Sequence, residues 1–221
     1  MGVDVFVKIG GSVLDDLIAT KSLMDALLAI ADNVAVVALP GGGAAAKRMK
    51  QAQRDLQLRF ETCWLTGFKI VDSNALFLSS FSNKLHYAAS MQAVRPQAGR
   101  LTILSPYEFA RSDPTFERSW DITTDSMGCY FAHTLGATRY VIVTNVDGIF
   151  DFRGPAGTPP SLFSTITSQT LSELPISKLD SLFPSYIRKY PVPCKIVNGL
   201  IPARVLDCVL DRSCIGTEVL V

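Results

Sequence analysis

The chain has 221 residues, of which 48% are hydrophobic and 19% are charged, and its formal net charge is +1. This length allows one sizeable α/β domain with a large buried core, and we expect a single domain over residues 1–221. The near-neutral charge, without a run of Lys or Arg, argues against a nucleic-acid or anionic-membrane partner. We expect small-molecule partners and further copies of the chain, in a homodimer or higher homo-oligomer.

Cysteine and histidine usage limits the metal and redox chemistry. The 5 cysteines form no Cys-x-x-Cys pair and their number is odd, which argues against a disulfide framework or a zinc site. With 2 histidines, a His-based metal centre is not expected, and we predict no metal-binding residues. No signal segment is recognisable, and no apolar run approaches the roughly 20 residues that cross a bilayer. We therefore expect a cytoplasmic protein with reduced thiols.

Buried strands and amphipathic helices alternate along the chain. Strands are predicted at residues 4–9, 34–39, 100–105, 140–144, 194–197 and 217–221. Helices are predicted at residues 20–31, 44–56, 123–135, 177–190 and 202–210, with a helical turn at 106–110. This alternation predicts an α/β fold, a three-layer αβα sandwich with a largely parallel central sheet.

Three stretches are harder to assign. Residues 62–94 are mostly compatible with a helix, with interruptions predicted at Gly67 and at residues 79–84. Their aromatic residues suit a core or a subunit interface. Residues 161–174 are interpreted as short strands or turns. Pro184 lies inside the helix predicted at residues 177–190, so we expect a kink or a break there.

Two glycine-rich turns follow buried strands. Gly10-Gly11-Ser12 comes after the first strand, with Lys8 at the strand end, and glycine pairs there allow backbone N–H groups to approach phosphate. An ordinary strand-turn with a Lys lying along the surface explains the same residues. Gly41-Gly42-Gly43 separates the second strand from a helix, whose N-terminus attracts anions. A tight turn alone does not require three glycines.

Four acids lie at the junctions of residues 119–151. Asp121 and Asp125 precede and begin a helix, and Asp147 and Asp151 flank the turn after the next strand. In α/β sheets, ligands bind where strands end and helices begin. Asp125 also fits a plain helix cap, but Thr123 and Thr124 can serve that purpose. Asp121 beside Trp120 is equally compatible with a solvated loop acid.

Taken together, these segments resemble the amino acid kinase superfamily. Four blocks match in order, and they span nearly the whole chain: Lys8-x-Gly10-Gly11-Ser12; Gly41-Gly42-Gly43; Thr124-Asp125-x-x-Gly128 through Thr144-Asn145-Val146-Asp147-Gly148-Ile149-Phe150; and Asn198-Gly199 through Gly216-Thr217-Glu218-Val219. Within the superfamily, the phrase SWDITTDS looks most like the kinases of methanofuran-type cofactor biosynthesis. Those enzymes phosphorylate an (aminomethyl)furan-methyl phosphate to its diphosphate.

The resemblance implies ATP and Mg²⁺ as cofactors and a role for each matched residue. Lys8 would neutralise the transferring phosphoryl group, and Asp125 would organise the lysines. Nucleotide binding is implied for Gly10, Gly11, Ser12, Thr144, Val146, Asp147, Gly148 and Phe150. Acceptor binding is implied for Gly41, Gly42, Gly43, Trp120 and Asp121, where Asp121 would pair with an ammonium group and Trp120 would pack on a flat ring.

The chain departs from the family in one respect. Relatives close to acetylglutamate kinase carry a second lysine in a Gly-Gly-Met-x-x-Lys stretch, and that glycine pair is missing here. Lys178 falls at about the matching position, with Lys189 and Lys195 as alternatives. We assign Lys178 to the second clamp.

Three interpretations remain open from the sequence. The first is a small-molecule kinase that acts on a phosphate or carboxylate, with uridylate, isopentenyl phosphate and amino-acid kinases as alternatives to the furan phosphate enzyme. The second is a non-catalytic nucleotide- or oxyanion-binding protein. The third is an α/β protein whose glycines serve only in turns. Retention of both Lys8 and Asp125 favours the enzyme.

Overall fold

Strands and helices alternate in the computed structural model, which describes residues 2–95, 100–114, 116–155, 157–174 and 178–221. The strands are β1 (Val5–Ile9), β2 (Val36–Pro40), β3 (Leu85–Ala88), β4 (Leu101–Leu104), β5 (Arg139–Thr144), β6 (Phe150–Asp151), β7 (Ser161–Leu162), β8 (Thr165–Thr167), β9 (Cys194–Asn198) and β10 (Thr217–Leu220). The helices are α1 (Gly11–Leu14), α2 (Leu17–Ile30), α3 (Gly43–Asp55), α4 (Phe60–Ser79), α5 (Tyr107–Ser112), α6 (Thr124–Thr134), α7 (Ser168–Glu173), α8 (Phe183–Lys189) and α9 (Pro202–Val209). A short 3₁₀ helix covers Met91–Ala93.

The central sheet has 8 strands in the order β3-β4-β2-β1-β5-β9-β10-β8. The six strands from β3 to β9 are mutually parallel, and β10 runs antiparallel to β9. Strands β6 and β7 form a separate antiparallel ribbon. Because β1, β2 and β5 are adjacent and parallel, the loops at their carboxyl ends meet at one edge of the sheet.

The core lies on both faces of this sheet, as the continuous apolar strands predict. On one face, side chains of α1, α2 and α9 pack against Val5, Val7 and Ile9 of β1. On the other face, side chains of α6 and α8 pack around Phe6. Lys8 shares the strand face of Phe6, so alternation along β1 directs this lysine toward α6. The predicted three-layer sandwich with a largely parallel sheet is confirmed.

Helix α4 connects the two cores across the carboxyl edge of the sheet. Its first half supplies Trp64 and Phe68 to the core on the α6 face, and its second half supplies Ala75 and Leu78 to the other. The side-chain amide of Asn74 donates a hydrogen bond of 2.8 Å to the carbonyl of Gly41 at the end of β2. This crossing places the first half of α4 over the loops that follow β1 and β2.

The predictions for residues 62–94 and for the helix at residues 177–190 were right in part. Most of residues 62–94 are helical and α4 ends at Ser79, so the interruption predicted at residues 79–84 is confirmed, but the edge strand β3 was missed because its mostly half-buried residues carry little apolar signal. Gly67 does not interrupt α4. The helix predicted at residues 177–190 begins only at Phe183, so a break is found in place of a kink, and Pro184 lies in the first turn of α8, where its missing N–H has no helical partner to lose.

Residues 161–174 also contain more helix than predicted. Strands β7 and β8 fit the prediction of short strands, but α7 follows directly, and the Thr167 side chain accepts a hydrogen bond from the Thr170 N–H at its start. The predicted start of the last long helix at Ser177 lies outside the described residues. Among the residues described, no helix is both long and apolar enough to cross a membrane.

We predict that Gly128→Ala destabilises the protein, although alanine is normally favoured in helices by about 0.5–1 kcal/mol. A β-carbon on Gly128 of α6 would lie 2.0 Å from the hydroxyl oxygen of buried Tyr140. The expected cost of this overpacking is about 1–3 kcal/mol, measured by urea unfolding. In a Tyr140→Phe background the cost should be smaller because the closest atom is removed. Unchanged or increased stability on Gly128→Ala would contradict the predicted packing.

Candidate active site

A cavity of about 530 Å³ opens where β1, β2 and β5 end. Its size is in the range of small-molecule sites. Most of the residues singled out in the sequence line it: Lys8, Gly10, Gly11, Ser12, Gly41, Gly42, Gly43, Trp120, Asp121, Asp125, Thr144 and Lys178. The structure thus brings the nucleotide, acceptor and charge-handling candidates to one place.

A buried ion pair lies at the centre of this cavity. The Lys8 Nζ is 2.6 Å from the Asp125 Oδ1, and the two side chains are 11% and 7% exposed. Lys8 is the next-to-last residue of β1, and Asp125 lies in the first turn of α6. An ammonium ion held by a carboxylate at a cavity wall can stabilise negative charge that develops next to it.

The two glycine loops touch each other directly. A β-carbon on Gly11 would lie 2.2 Å from the backbone nitrogen of Gly43, and one on Gly41 would lie 2.6 Å from the nitrogen of Gly11. Gly11 opens α1 and Gly43 opens α3, so their N–H groups have no acceptor within their own helices. The loops therefore require glycine for packing and also present backbone donors at the cavity.

One backbone N–H just after Gly41-Gly42-Gly43 already has a hydrogen-bond acceptor. The N–H of Ala44, in the first turn of α3, donates to both carboxylate oxygens of Asp15 at 3.1 Å. Asp15 is exposed and follows α1. An anion bound by Gly42 and Gly43 must therefore share the start of α3 with a carboxylate, and compensating cations are needed nearby.

Helix α3 supplies those cations. Lys47 and Lys50 line the cavity, one and two turns beyond Gly43. The Lys50 Nζ donates to the carbonyl of Trp120 at 2.9 Å. Burial lowers the pKa of Lys50 and Arg54 adds to the lowering, while Asp121 and Asp180 oppose it.

Trp120 forms an apolar wall of the cavity together with α4. Its ring lies against Gly67, where an added β-carbon would be 3.2 Å from the indole. Its indole N–H donates to the Gln53 side chain at 3.3 Å, and its ring meets Phe60 edge-on. Asp121 is exposed beside it, and its backbone N–H donates to the Ser119 hydroxyl.

The 178–181 segment also lines the cavity. Lys178 is exposed there and forms no ion pair with any described residue. Lys195 lies on β9 and Lys189 at the end of α8, with its ammonium 5.2 Å from the Tyr190 ring centre, and neither belongs to the described lining. Of the three candidates for the second clamp, Lys178 is the one at the cavity, and its role stays a prediction.

Asp180 in the same segment supports the start of α6. Its carboxylate accepts hydrogen bonds from the backbone and side chain of both Thr123 and Ser126. Burial raises the pKa of Asp180, and the charge of Asp125 raises it further, while the bonds from Ser126 and Thr123 act in the opposite direction.

Four predicted nucleotide-binding residues lie beyond the described lining of the cavity, in the turn that follows β5: Val146, Asp147, Gly148 and Phe150. Asp147 accepts from the Asn198 amide at 2.8 Å and pairs with Arg204 of α9 at 2.5 Å. The Asn198 bond, and then Arg204, hold the pKa of Asp147 below its ordinary value. Phe150 pairs with Leu162 in the β6–β7 ribbon. Their assignment to a nucleotide pocket stays a prediction.

Magnesium binding fits this site only if the substrate brings most of the ligands. No group of three or more His, Cys, Asp or Glu side chains within the described ranges is placed to hold a metal ion. Mg²⁺ is commonly held by phosphate oxygens, waters and one or two carboxylates. Asp125 lines the cavity and is one carboxylate that could contribute, since its Oδ2 accepts a single long hydrogen bond, whereas Asp180 and Asp15 each accept two or more.

Sequence reasoning missed Asp15, Lys47, Lys50 and Asp180. The two lysines could have been found, because they follow Gly43 at helical spacings that share its face. Asp15 and Asp180 act on helix starts that lie 29 and 54–57 residues away in the chain. No local pattern marks such partners.

Comparison with known proteins agrees with this geometry. The family model described as "Amino acid kinase family" matches residues 65–206. The chain belongs to the amino acid kinase family. It is therefore a kinase, and its central sheet and glycine loops are those of the amino acid kinase fold.

Two relatives with assigned activities are similar over most of their length. The chain is 28% identical over 216 residues to the [5-(aminomethyl)furan-3-yl]methyl phosphate kinase of Methanocaldococcus jannaschii, covering 96% of each chain. It is 25% identical over 203 residues to the uridylate kinase of Thermococcus kodakarensis, covering 86% of this chain and 88% of that one.

Solved structures share the fold. The uridylate kinase of Archaeoglobus fulgidus superposes with a TM-score of 0.78 at 18% identity, over 99% of this chain and 100% of that chain. The UMP kinase of Ureaplasma parvum gives a TM-score of 0.75 at 16% identity, over 99% of each chain.

We predict that Lys8→Met destabilises the protein by about 3 kcal/mol, because it leaves the Asp125 carboxylate buried without its cation. Adding Asp125→Asn should restore most of that stability, since the uncompensated charge is then removed. Urea unfolding of the two single variants and the double variant measures the coupling. Strictly additive effects would show that the two side chains do not interact in solution.

Proposed function

We propose that this kinase transfers the γ-phosphoryl group of ATP to an (aminomethyl)furan-methyl phosphate, giving the diphosphate. The observation that carries the proposal is the Lys8–Asp125 ion pair, which lines the same cavity as the two glycine loops. The similarity over 96% of the chain to a kinase of that substrate supports the acceptor.

The reaction needs charge neutralisation more than acid–base chemistry. An oxygen of the acceptor phosphate attacks the γ-phosphorus, and the bond from that phosphorus to the bridging oxygen of ADP breaks. An ionised phosphate has no proton to lose, so no general base is required. Lys8 is placed to stabilise charge on the transferring group, and backbone N–H groups of Gly10, Gly11 and Ser12 are placed to hold phosphate oxygens. Mg²⁺ bound with ATP would supply further neutralisation of the phosphates.

The other half of the cavity suits a ring that carries both an ammonium and a phosphate. Trp120, Trp64, Phe68 and Val71 provide apolar surface for a flat ring. Lys47 and the backbone N–H groups of Gly42 and Gly43 would bind the phosphate. The exposed carboxylate of Asp121 would pair with the ammonium group. Lys178 faces this space and is proposed as the second lysine at the transferring group.

Uridylate kinase activity is the second candidate, because curated relatives and superposable structures carry that name. An acceptor without an ammonium group gives Asp121 no partner, which favours the furan phosphate. A non-catalytic binding protein is not favoured, since both charged members of the central pair are retained.

We also propose a cytoplasmic homo-oligomer. The motivation is that Leu76 and Phe77 of α4 remain exposed, at 51% and 40%. Sedimentation equilibrium would test this, and a Leu76→Lys variant that stays at the parent mass would remove α4 from the interface.

A coupled ADP-release screen tests the function. The acceptors are (aminomethyl)furan-methyl phosphate, UMP, isopentenyl phosphate and small carboxylates, each with MgATP. We predict turnover with the furan phosphate.

We also predict that Lys8→Ala lowers kcat by about a hundredfold or more with little change in the KM for the acceptor, because the charge of Lys8 acts in the transition state. The Lys8→Met/Asp125→Asn double variant serves as a folded, inactive control. Faster turnover of UMP would replace the proposed acceptor.

Asp121 is predicted to select the amine. Asp121→Asn should raise KM for the aminomethyl acceptor by about tenfold, the loss of one exposed charge-assisted contact. The same variant should leave KM unchanged for the analogue in which a methyl group replaces the aminomethyl group. Equal effects on both acceptors would show that Asp121 does not contact the ammonium.

A further inference from the structure

Two acids, Asp125 and Asp180, lie at the start of α6 and make different contacts there. Helix starts leave backbone N–H groups without helical partners, and acids in the first turn commonly satisfy them. Asp125 occupies such a position, yet its Oδ1 lies 2.6 Å from the Lys8 Nζ. Its only other side-chain contact among the described residues is a long bond of 3.4 Å from the Thr123 hydroxyl. Asp125 is turned toward the lysine and the Thr123 hydroxyl accepts from the Asp125 N–H at 3.2 Å, so the N–H of Ser126 in the same turn needs another acceptor.

Asp180 supplies that acceptor from a segment 54–57 residues further along the chain. Its Oδ2 accepts from the Thr123 N–H at 2.8 Å, from the Thr123 hydroxyl at 2.8 Å and from the Ser126 N–H at 3.1 Å. Its Oδ1 accepts from the Ser126 hydroxyl at 2.5 Å. Thr123 and Ser126 flank the two residues that begin α6, so one carboxylate holds the first turn from both sides.

We propose that Asp180 is a positioning residue for the transferring group: by capping α6 in place of Asp125, it leaves the Asp125 carboxylate free to hold Lys8. The proposal rests on the kinase function above and adds a residue that the family comparison does not assign. It also explains how the 178–181 segment is held at the cavity, because its one carboxylate is bound to α6 while Lys178, two residues earlier, faces the cavity.

The chemistry of the cap requires a carboxylate. Four donors converge on Asp180, and a carboxylate offers about four lone-pair sites and no competing hydrogen. Asparagine has nearly the same shape but only one acceptor oxygen, and its NH₂ group would face the Ser126 or Thr123 donors. If the cap fails, the N–H groups of α6 compete for the nearest carboxylate, which is that of Asp125.

Chemical labelling of Lys8 tests the proposal without an acceptor. Reductive methylation by formaldehyde and borohydride is followed by peptide mass spectrometry, with the exposed Lys21 as internal reference. In Asp180→Asn, the Lys8 amine should be labelled several-fold faster than in the parent because its carboxylate is drawn away. The matched control is Asp207→Asn, an acid on α9 whose nearest cation is Arg212 at 3.9 Å, and it should leave the rate at Lys8 unchanged.

Steady-state kinetics give a second readout. Asp180→Asn should lower kcat by about tenfold to a hundredfold, as expected for a displaced catalytic group, with KM for ATP changed by less than about twofold. Ser126→Ala removes one of the four bonds and should change both readouts in the same direction by a smaller amount. It also serves as the test if Asp180→Asn does not fold.

The outcomes separate the two proposals. If the parent turns over none of the acceptors but Lys8 becomes more reactive in Asp180→Asn, the proposed function fails and the positioning role stands. If the parent is active and neither Asp180→Asn nor Ser126→Ala changes the reactivity of Lys8, the positioning role is overturned and the function stands. A rise in KM for ATP with unchanged kcat would also overturn it.

Discussion

The site depends on one ammonium group held by a carboxylate at the wall of a cavity. Lys8 lies on a strand whose other side chains are buried and apolar, and a lone charge there would carry a desolvation cost of several kcal/mol. The carboxylate of Asp125 compensates that charge at 2.6 Å. A pair of this kind is weak evidence for stability, but it presents a cation whose position is set before substrate arrives, as electrostatic stabilisation of a transition state requires.

Asp125 is held in place by β5, by the helix cap Thr123 and, through Thr123, by Asp180. The Tyr140 hydroxyl of β5 donates to the Asp125 carbonyl at 3.0 Å, and that tyrosine fits only because Gly128 has no side chain. The Thr123 hydroxyl accepts from the Asp125 N–H at 3.2 Å. Asp180 binds Thr123 in turn. The N–H and the carbonyl of Asp125 are therefore both bound, and its carboxylate is left for the lysine.

Most strands of the sheet and about half of the residues that line the cavity were predictable from the sequence, because short sequence patterns mark them. Lys8, the glycine loops and Asp125 lie at strand ends and helix starts, and those junctions are visible in apolar runs and turn residues. The edge strand β3 was missed because residues 85–88 are half-buried and their pairing with β4 is not encoded nearby. Asp180 was missed because its partners are more than 50 residues away, and only the folded chain shows that they meet.

The glycine loops show that a match to a glycine motif does not by itself indicate ligand binding. Gly11 and Gly41 would be required even without phosphate, since each excludes a β-carbon through contact with the other loop. The α3 N-terminus, which the motif assigns to the acceptor, already donates one N–H to Asp15. Under the proposed function, the remaining backbone donors therefore bind the anionic acceptor together with Lys47, a cavity residue outside the glycine motif. Under the proposed function, side chains of α3, α4 and the 120–121 loop select the acceptor, whereas the packing of the two loops alone is enough to require their glycines.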